Sequence, residues 1–235
     1  MITIRKNKER GHTKIDWLDS YHSFSFGDYY DPNNIHFGPL RVLNDDTVSP
    51  KGGFPTHPHK DMEIVSIVLQ GTMAHTDSAG NHGQIRVNDV QRMTAGTGIF
   101  HSEYNASDNE LLHFCQIWFV PNQRSLTPSY QQIKVDPSLR QNKLHKIVSG
   151  GKEEGVIFIN QDADLYLADL ENGVEVTHNI AAERGIYIYN IDGGLNVQNV
   201  ELKTGDAAKI TDENSINLKA ITNTKLLVFD LTKNF

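Results

Sequence analysis

Two pairs of ligand-type residues stand out in this sequence, and each pair has the spacing i, i+2. The first pair is His57 and His59, and the second is His101 and Glu103. Side chains two residues apart in a β-strand point to the same face of the sheet, so two neighbouring strands could direct all four at one point. Three imidazoles and one carboxylate suit one divalent transition metal, such as Fe, Ni, Co, Mn, Cu or Zn. The two pairs therefore predict a metal site.

The residues around these pairs resemble two motifs of the cupin superfamily. His57-Pro58-His59, followed by Glu63 and a later Gly71, resembles the first motif, and the segment from Gly98 to Asn105 resembles the second. Further segments are similar to the pirin family, specifically its bacterial quercetinase-like members: Trp17–Phe26, Arg41–Asp46 and Thr56–Glu63. The resemblance is strong in the first half of the chain and rests mainly on overall layout in the second.

The resemblance implies a ligand set. In pirin-like proteins the metal is held by the two histidines of the first motif, the histidine of the second, and the glutamate two residues later. Carried onto this chain, these residues are His57, His59, His101 and Glu103. Many other cupins use the glutamate of the first motif, which here is Glu63. The sequence alone does not decide whether Glu63 or Glu103 is the fourth ligand. We favour Glu103, because its spacing from His101 directs it at the same point.

The resemblance also implies an activity, quercetin 2,3-dioxygenation, in which O2 opens the central ring of a flavonol and carbon monoxide is released. We expect the flavonol 3-hydroxyl to bind the metal as its anion, since a coordinated cation lowers the pKa of a hydroxyl. Glu103 is the candidate catalytic residue that accepts this proton. Phe54 and Phe100 are candidates to line an apolar pocket for the planar flavonol-like substrate.

Two other classes of function compete with the dioxygenase. The first is a non-enzymatic, pirin-like metal-binding regulator that acts through protein partners. The second is a cupin isomerase or other metal enzyme acting on a sugar, which would need more polar and cationic groups around the ligands than these motifs offer. Turnover of a flavonol by the metallated protein distinguishes the dioxygenase from the regulator.

The elements that must position the site are predicted to be strands. Short runs rich in β-branched and aromatic residues alternate with turn residues, and no helical period is sustained. The runs are Glu63–Leu69, Ile85–Val87, Phe114–Val120, Gly155–Ile159, Leu165–Leu170, Gly185–Ile191, Gly194–Leu202 and Leu226–Leu231. With the cupin resemblance, they predict an all-β bicupin, two tandem jelly-roll-type β-barrels. A short helix is expected at Asp136–Arg140, with Asp136 as its cap.

The chain is predicted to divide near its midpoint. The segment Pro121–Tyr130 has two prolines and several polar residues, which is typical of a linker. We therefore expect an N-terminal cupin domain with the metal site in residues 1–125 and a C-terminal cupin-like domain in residues 126–235. The second half keeps only His178 at the corresponding place, which predicts a degenerate metal site there.

The remaining histidines are expected to be structural. His113 lies in a predicted strand and is a candidate to support the ligands from the barrel interior. The others have no partner at ligand spacing: His12, His22, His36, His75, His82 and His145.

Composition limits the partners and the compartment. The net charge is −7 and there is no run of basic residues, which argues against a nucleic-acid partner. The only cysteine, Cys115, can form no intrachain disulfide, as expected in a reducing compartment. The N-terminal residues lack the apolar core of a signal peptide, and no apolar run approaches the roughly 20 residues that span a bilayer. These features predict a cytoplasmic protein with no membrane partner.

Overall fold

The computed structural model describes residues 1–234, and within them the chain folds almost entirely into β-strands. The strands, in chain order, are β1 (Ile2–Arg5), β2 (Gly11–Ile15), β3 (Leu18–His22), β4 (Leu40–Val48), β5 (Gly53–His59), β6 (Glu63–Gln70), β7 (Thr72–Asp77), β8 (His82–Arg86), β9 (Asp89–Thr94), β10 (Ile99–Asn105), β11 (Leu112–Phe119), β12 (Ser129–Lys134), β13 (His145–Ser149), β14 (Ile157–Phe158), β15 (Ala163–Leu170), β16 (Glu175–Asn179), β17 (Arg184–Asp192), β18 (Leu195–Val197), β19 (Val200–Leu202), β20 (Ala207–Ile210), β21 (Ser215–Ala220) and β22 (Thr224–Thr232). The only helices in this range are two 3-10 turns, Asn7–Glu9 and Pro137–Leu139. None of the described residues belongs to a helix long and apolar enough to cross a membrane.

The strands form two barrels, each built from one large and one small sheet. In the first barrel, the seven-stranded sheet β12-β9-β6-β11-β4-β3-β2 faces the four-stranded sheet β5-β10-β7-β8. In the second barrel, the sheet β1-β20-β17-β22-β15-β13-β14 faces the sheet β16-β21-β18-β19. The prediction of an all-β bicupin with two tandem jelly-roll-type barrels is confirmed.

Two strands cross from one barrel to the other. β1, at the start of the chain, pairs with β20 in the second barrel, with Ile2 opposite Ile210. β12, which begins at the end of the predicted linker, pairs with β9 in the first barrel, with Ser129 opposite Thr94. The division into residues 1–125 and 126–235 stays a prediction. The pairing shows that each barrel takes one edge strand from the other side of that boundary.

The two barrels pack through their seven-stranded sheets. Along β11, the side chains of Cys115, Ile117 and Phe119 point to one face and belong to a buried apolar cluster that both barrels share. Leu227 and Phe229 of β22 belong to the same cluster. Since side chains alternate between faces along a strand, Phe114, Gln116 and Trp118 face the interior of the first barrel. One strand thus holds the barrels together with one face and lines the first barrel with the other.

The interiors of the two barrels differ in chemistry. The second barrel is filled by a buried aliphatic cluster: Ala168, Leu170, Ile180, Ile186, Ile188, Leu195, Val197, Leu202, Ala208, Ile210, Ile216, Leu218, Ala220, Leu226 and Val228. The first barrel instead buries imidazole, carboxylate and amide groups near its four-stranded sheet. Buried polar groups need partners or ligands. Among the described residues, the groups that could hold a metal therefore lie in the first barrel.

Local details refine the predicted elements. The run Gly194–Leu202 is a hairpin rather than one strand, because Gln198 and Asn199 have positive φ angles of 48° and 69° and form its two-residue turn. The expected helix is a single 3-10 turn, Pro137–Leu139, and the Asp136 side chain caps it by accepting a hydrogen bond from the Ser138 backbone N–H at 2.9 Å. The cap was predicted correctly and the helix is shorter than expected.

Candidate metal centre

Neighbouring strands bring the predicted histidines together. β10 pairs with β5, and His101 lies directly opposite His57, while Ile99 lies opposite His59. The Nε2 atoms of His57 and His101 are 3.0 Å apart. Donor atoms of all three histidines lie within 4.8 Å of one another. The structure therefore brings the three imidazoles together, as the i, i+2 spacing predicts.

The local structure of β5 sets the tautomer of its first histidine. β5 is the edge strand of its sheet, which tolerates Pro55 and Pro58 because no further strand needs their missing N–H groups. The Pro55 carbonyl oxygen accepts a hydrogen bond from Nδ1–H of His57 at 2.7 Å. The proton is thereby held on Nδ1, and the Nε2 lone pair points towards His101. At Gly53 a Cβ would overlap the Glu103 carbonyl oxygen, so only glycine lets β5 approach β10 this closely.

Burial keeps the central histidines neutral, which is the form that binds metals. Burial, with the neighbouring His57, His59 and His75, lowers the pKa of His101 to about 2. Burial and the neighbouring His57 lower the pKa of His59 to about 4. The Nδ1 atom of His101 is buried with no hydrogen-bond partner in the described chain. A set of neutral, convergent imidazoles with an unpaired nitrogen fits a divalent transition metal.

Glu103 lies inside the barrel beside the histidines. Ser66 Oγ donates to its Oε1 at 3.2 Å, and Gln116 Nε2 donates to its Oε2 at 2.8 Å. Complete burial outweighs these hydrogen bonds and raises the pKa of Glu103 to about 7. Its carboxylate oxygen lies within 4.8 Å of donor atoms of His75 and His101. Its role as a metal ligand stays a prediction.

Glu63 points away from the histidines. It is in phase with Val65 and Ile67, which belong to the cluster between the barrels, whereas Ser66 faces Glu103. Thr94 Oγ1 donates to Glu63 Oε2 at 3.0 Å, and Asn160 Nδ2, from the second half of the chain, donates to Oε1 at 3.0 Å. Glu63 therefore joins the two barrels. The carboxylate that many other cupins use thus lies away from the histidines in this structure.

One residue of the site was missed. His75, on β7, was expected to be structural, but its side chain is buried beside His101 and lies opposite Glu103. Its donor atom lies within 4.8 Å of those of both neighbours. The signal that could have indicated it is Asp77, two residues further on, which repeats the i, i+2 spacing of ligand-type residues.

The other candidates lie elsewhere. His113 Nε2 is 2.5 Å from Asp45 Oδ1, between the barrels, so the expectation that it supports the ligands is wrong. Phe100 alternates with the inward-facing His101 and is 54% exposed on the outer face, so it does not line the cavity beside the histidines. His178 is hydrogen-bonded to Asp230 at 2.8 Å. Cys115 is buried, as expected for a structural thiol.

A cavity of about 190 Å³ opens beside the histidines. Aromatic side chains of Phe26, Phe54 and Trp118 line it together with His57, His59 and Glu103, and its remaining lining residues are Thr13, Leu18, Ser20, His22, Gly27, Asp28, Asn44, Asp46 and Gln116. The Trp118 ring contacts His59 edge-on at a centroid distance of 4.7 Å. A largely apolar cavity with a few polar groups beside a metal-binding cluster is typical of a small-molecule site.

The fold and the site together define a bicupin with a histidine-rich candidate metal centre in its first barrel. Comparison with known proteins is more specific: the Pirin family profile matches residues 3–119, and that of the quercetinase C-terminal cupin domain matches residues 146–231. The chain belongs to the pirin family.

Similar proteins cover the whole chain. A protein named quercetin 2,3-dioxygenase from Escherichia coli (strain K12) is 44% identical over 231 residues, which cover 98% of this chain and 99% of that one. The crystal structure of the bacterial pirin YhhW from Escherichia coli in complex with nickel(II) is 43% identical, with a TM-score of 0.94 and 99% of both chains covered. The structure of Escherichia coli YhaK is 27% identical, with a TM-score of 0.76, over 91% of this chain and 93% of that one.

Proposed function

We propose that this protein is a metal-dependent dioxygenase of the quercetin 2,3-dioxygenase type. In this reaction O2 adds across the central ring of a flavonol, two ring C–C bonds break, and one ring carbon leaves as carbon monoxide. The observation that carries the proposal is the aromatic-lined cavity directly beside the three convergent histidines. The name and the full-length similarity of the Escherichia coli relative support it.

We assign His57, His59, His101 and Glu103 as the residues that hold one divalent transition metal. The nickel(II) complex of YhhW supports the binding of a divalent transition metal. A bound divalent cation lowers the pKa of a coordinated hydroxyl and so favours the flavonol anion. Each oxygen of Glu103 accepts one hydrogen bond and keeps a further lone pair, which leaves the carboxylate able to bind the ion.

Glu103 is also placed to move the substrate's proton. It lines the cavity, and Ser66 and Gln116 hold its carboxylate from behind. The O–H bond of the flavonol 3-hydroxyl breaks, and its proton passes to a carboxylate oxygen of Glu103. The buried surroundings exclude bulk water, which strengthens this interaction and prevents loss of the proton to solvent.

The aromatic walls orient the substrate. Phe54 and Trp118 offer faces and edges to a flat ring, and aromatic contacts of this kind contribute about 0.5–1.5 kcal/mol beyond area burial. Asn44 and Asp46, on β4, line the same cavity and offer hydrogen-bonding groups to phenolic hydroxyls. The proposed substrate class is therefore a planar polyphenol with a hydroxyl directed at the histidines.

Mass analysis of the product tests this reaction. The protein loaded with a divalent metal is incubated with quercetin under 18O2 and, separately, under argon. We expect quercetin to disappear only with oxygen, and the product to have the mass of quercetin plus two labelled oxygen atoms minus carbon monoxide. Consumption without double labelling would indicate another oxidation. Stable quercetin with every metal would favour the regulatory role instead.

The reducing, cytoplasmic location stays a prediction that rests on composition.

A further inference from the structure

β7 and β10 place four ligand-type side chains on one inner face of the first barrel. His75 and Asp77 of β7 point inward, as do His101 and Glu103 of β10, and all four are buried. The register sets His75 opposite Glu103 and Asp77 opposite His101. These four side chains form a square on the side of β10 away from β5. The square is adjacent to the cluster of His57, His59 and His101 and shares only His101 with it.

Two imidazole nitrogens in this square have no hydrogen-bond partner in the part of the chain that the structure describes. They are Nδ1 of His75 and Nδ1 of His101. An unsatisfied buried polar atom costs about 1–3 kcal/mol, and the centroids of these two rings are 5.5 Å apart, so the pair indicates a site for a ligand. The donor atoms of His75, His101 and Glu103 all lie within 4.8 Å of one another, a separation that a shared ion can close.

His75 also has the hydrogen bonding of a metal-binding histidine. Its Nε2 lies 3.4 Å from Asp77 Oδ2, and an ionised carboxylate only accepts, so the proton resides on Nε2 and the lone pair on Nδ1. Backbone N–H groups of Ala79 and Asn81 hold the Asp77 carboxylate at 2.9 and 3.0 Å. A fixed carboxylate behind an imidazole is the arrangement that orients metal ligands.

We propose that His75, His101 and Glu103 form an inner position for a divalent transition metal, beside the outer position of His57 and His59. His101 and Glu103 serve both positions, so one ion occupies one position at a time. Of the three inner ligands only Glu103 lines the cavity, whereas His57, His59 and Glu103 of the outer position all line it, so an ion at the inner position lies further from the substrate. This proposal rests on the metal centre proposed above, but its readout is metal binding rather than turnover.

Removal of the outer ligands tests the inner position. Metal-free H57A/H59A protein is titrated with Co2+, and binding is followed by calorimetry and by the Co2+ absorption bands. We expect one equivalent to bind still, through His75, His101 and Glu103. Addition of H75A should weaken this residual binding by at least about tenfold, and D77N should weaken it by about 10–100-fold, since it removes the charge that orients His75.

Matched variants keep the test decisive. H82A added to H57A/H59A is the control, because His82 is exposed on the adjacent strand β8 and should leave the residual binding unchanged. H75Q replaces H75A if the alanine variant unfolds, because glutamine fills more of the space. If H57A/H59A binds no Co2+ while wild type does, or if H75A and H75Q leave the residual binding intact, the inner position is contradicted. Wild type that binds no metal would instead overturn the proposed metal centre.

Discussion

His57 and His101 direct their Nε2 atoms at each other across 3.0 Å, although 44 positions separate them in the chain. The Pro55 carbonyl oxygen holds the His57 proton on Nδ1, so Nε2 of His57 carries a lone pair that points at Nε2 of His101. Two convergent nitrogens of this kind are satisfied together when a cation lies between them. The His57–His101 pair is therefore the core of the proposed metal site.

Removal of the metal should lower thermal stability. A ligand that binds only the folded state, at about 100 times its Kd, stabilises the protein by about 2.7 kcal/mol. For a chain of this size, that energy corresponds to a Tm shift of roughly 5–11 °C. We expect this drop on adding a chelator to metal-loaded protein, measured by calorimetry. The H101A variant is the control, and an equal chelator effect in that variant would contradict metal binding by His101.

The two carboxylates of the first barrel should behave differently when made neutral. E103Q is expected to keep some metal and lose most flavonol turnover, because the amide cannot accept the substrate proton. E63Q is expected to keep metal and turnover. Its free energy of unfolding should be lower by about 1–3 kcal/mol, since one hydrogen bond that joins the barrels is lost. Metal content, turnover and urea unfolding are measured for both variants. Full turnover by E103Q would remove Glu103 from the proton-accepting role.

The aromatic wall should determine substrate affinity. Trp118 lines the cavity and contacts His59, so W118L should raise KM for quercetin by about 10–100-fold with a smaller effect on kcat. W17L is the matched control. Trp17 packs edge-on against Phe54 at 5.1 Å but does not line the cavity. Equal KM values for the two variants would contradict a substrate held against Trp118.

A partly buried ion pair between the barrels, His113 with Asp45, should make stability depend on pH. Burial opposes the charge on His113, but the hydrogen bond and the charge of Asp45 outweigh burial and raise the pKa of His113 above 6.5. Burial by itself would raise the pKa of Asp45, but the hydrogen bond and charge of His113 and the charge of Arg10 outweigh it and lower this pKa below 3.8. The histidine's contribution is therefore complete below pH 6.5 and is lost as the pH rises through the raised value. The aspartate's contribution is complete above pH 3.8 and is lost on acidification through the lowered value.

Urea unfolding of wild type and H113Q measures this contribution. We expect H113Q to be less stable by about 1–3 kcal/mol near pH about 5.5, because it lacks a charged hydrogen bond to Asp45. The difference between the two proteins should shrink at pH about 9, where neutral His113 no longer attracts Asp45. A difference that grows towards alkaline pH would contradict the assigned direction of the pKa shift.

Local patterns in the sequence predicted the strands well, because alternation and β-branched residues are local signals. The ends of β6, β11, β15, β17 and β22 lie within two residues of the ends of the predicted runs. The exchange of β1 and β12 between barrels could not be predicted in this way. Ile2 and Ile210 pair across the length of the chain, and no local pattern encodes such a partner.

The candidate site was predicted as far as spacing within a strand allows. His57, His59 and His101 converge as expected. His75 was missed because its relation to Glu103 depends on the register between β7 and β10, which the sequence of either strand leaves open. The role of Glu63 was undecided for a related reason. Glu63, Val65 and Ile67 share one face of β6, and the sequence does not show that the second barrel packs against that face.

Carbon monoxide release from quercetin under O2 tests the central claim most directly. Protein is reconstituted separately with Fe, Ni, Co, Mn, Cu and Zn, and H101A protein treated in the same way is the control. We expect stoichiometric carbon monoxide with at least one metal, and none from metal-free protein or from H101A. No carbon monoxide from any fully metallated sample, or equal release from H101A, would contradict the dioxygenase assignment.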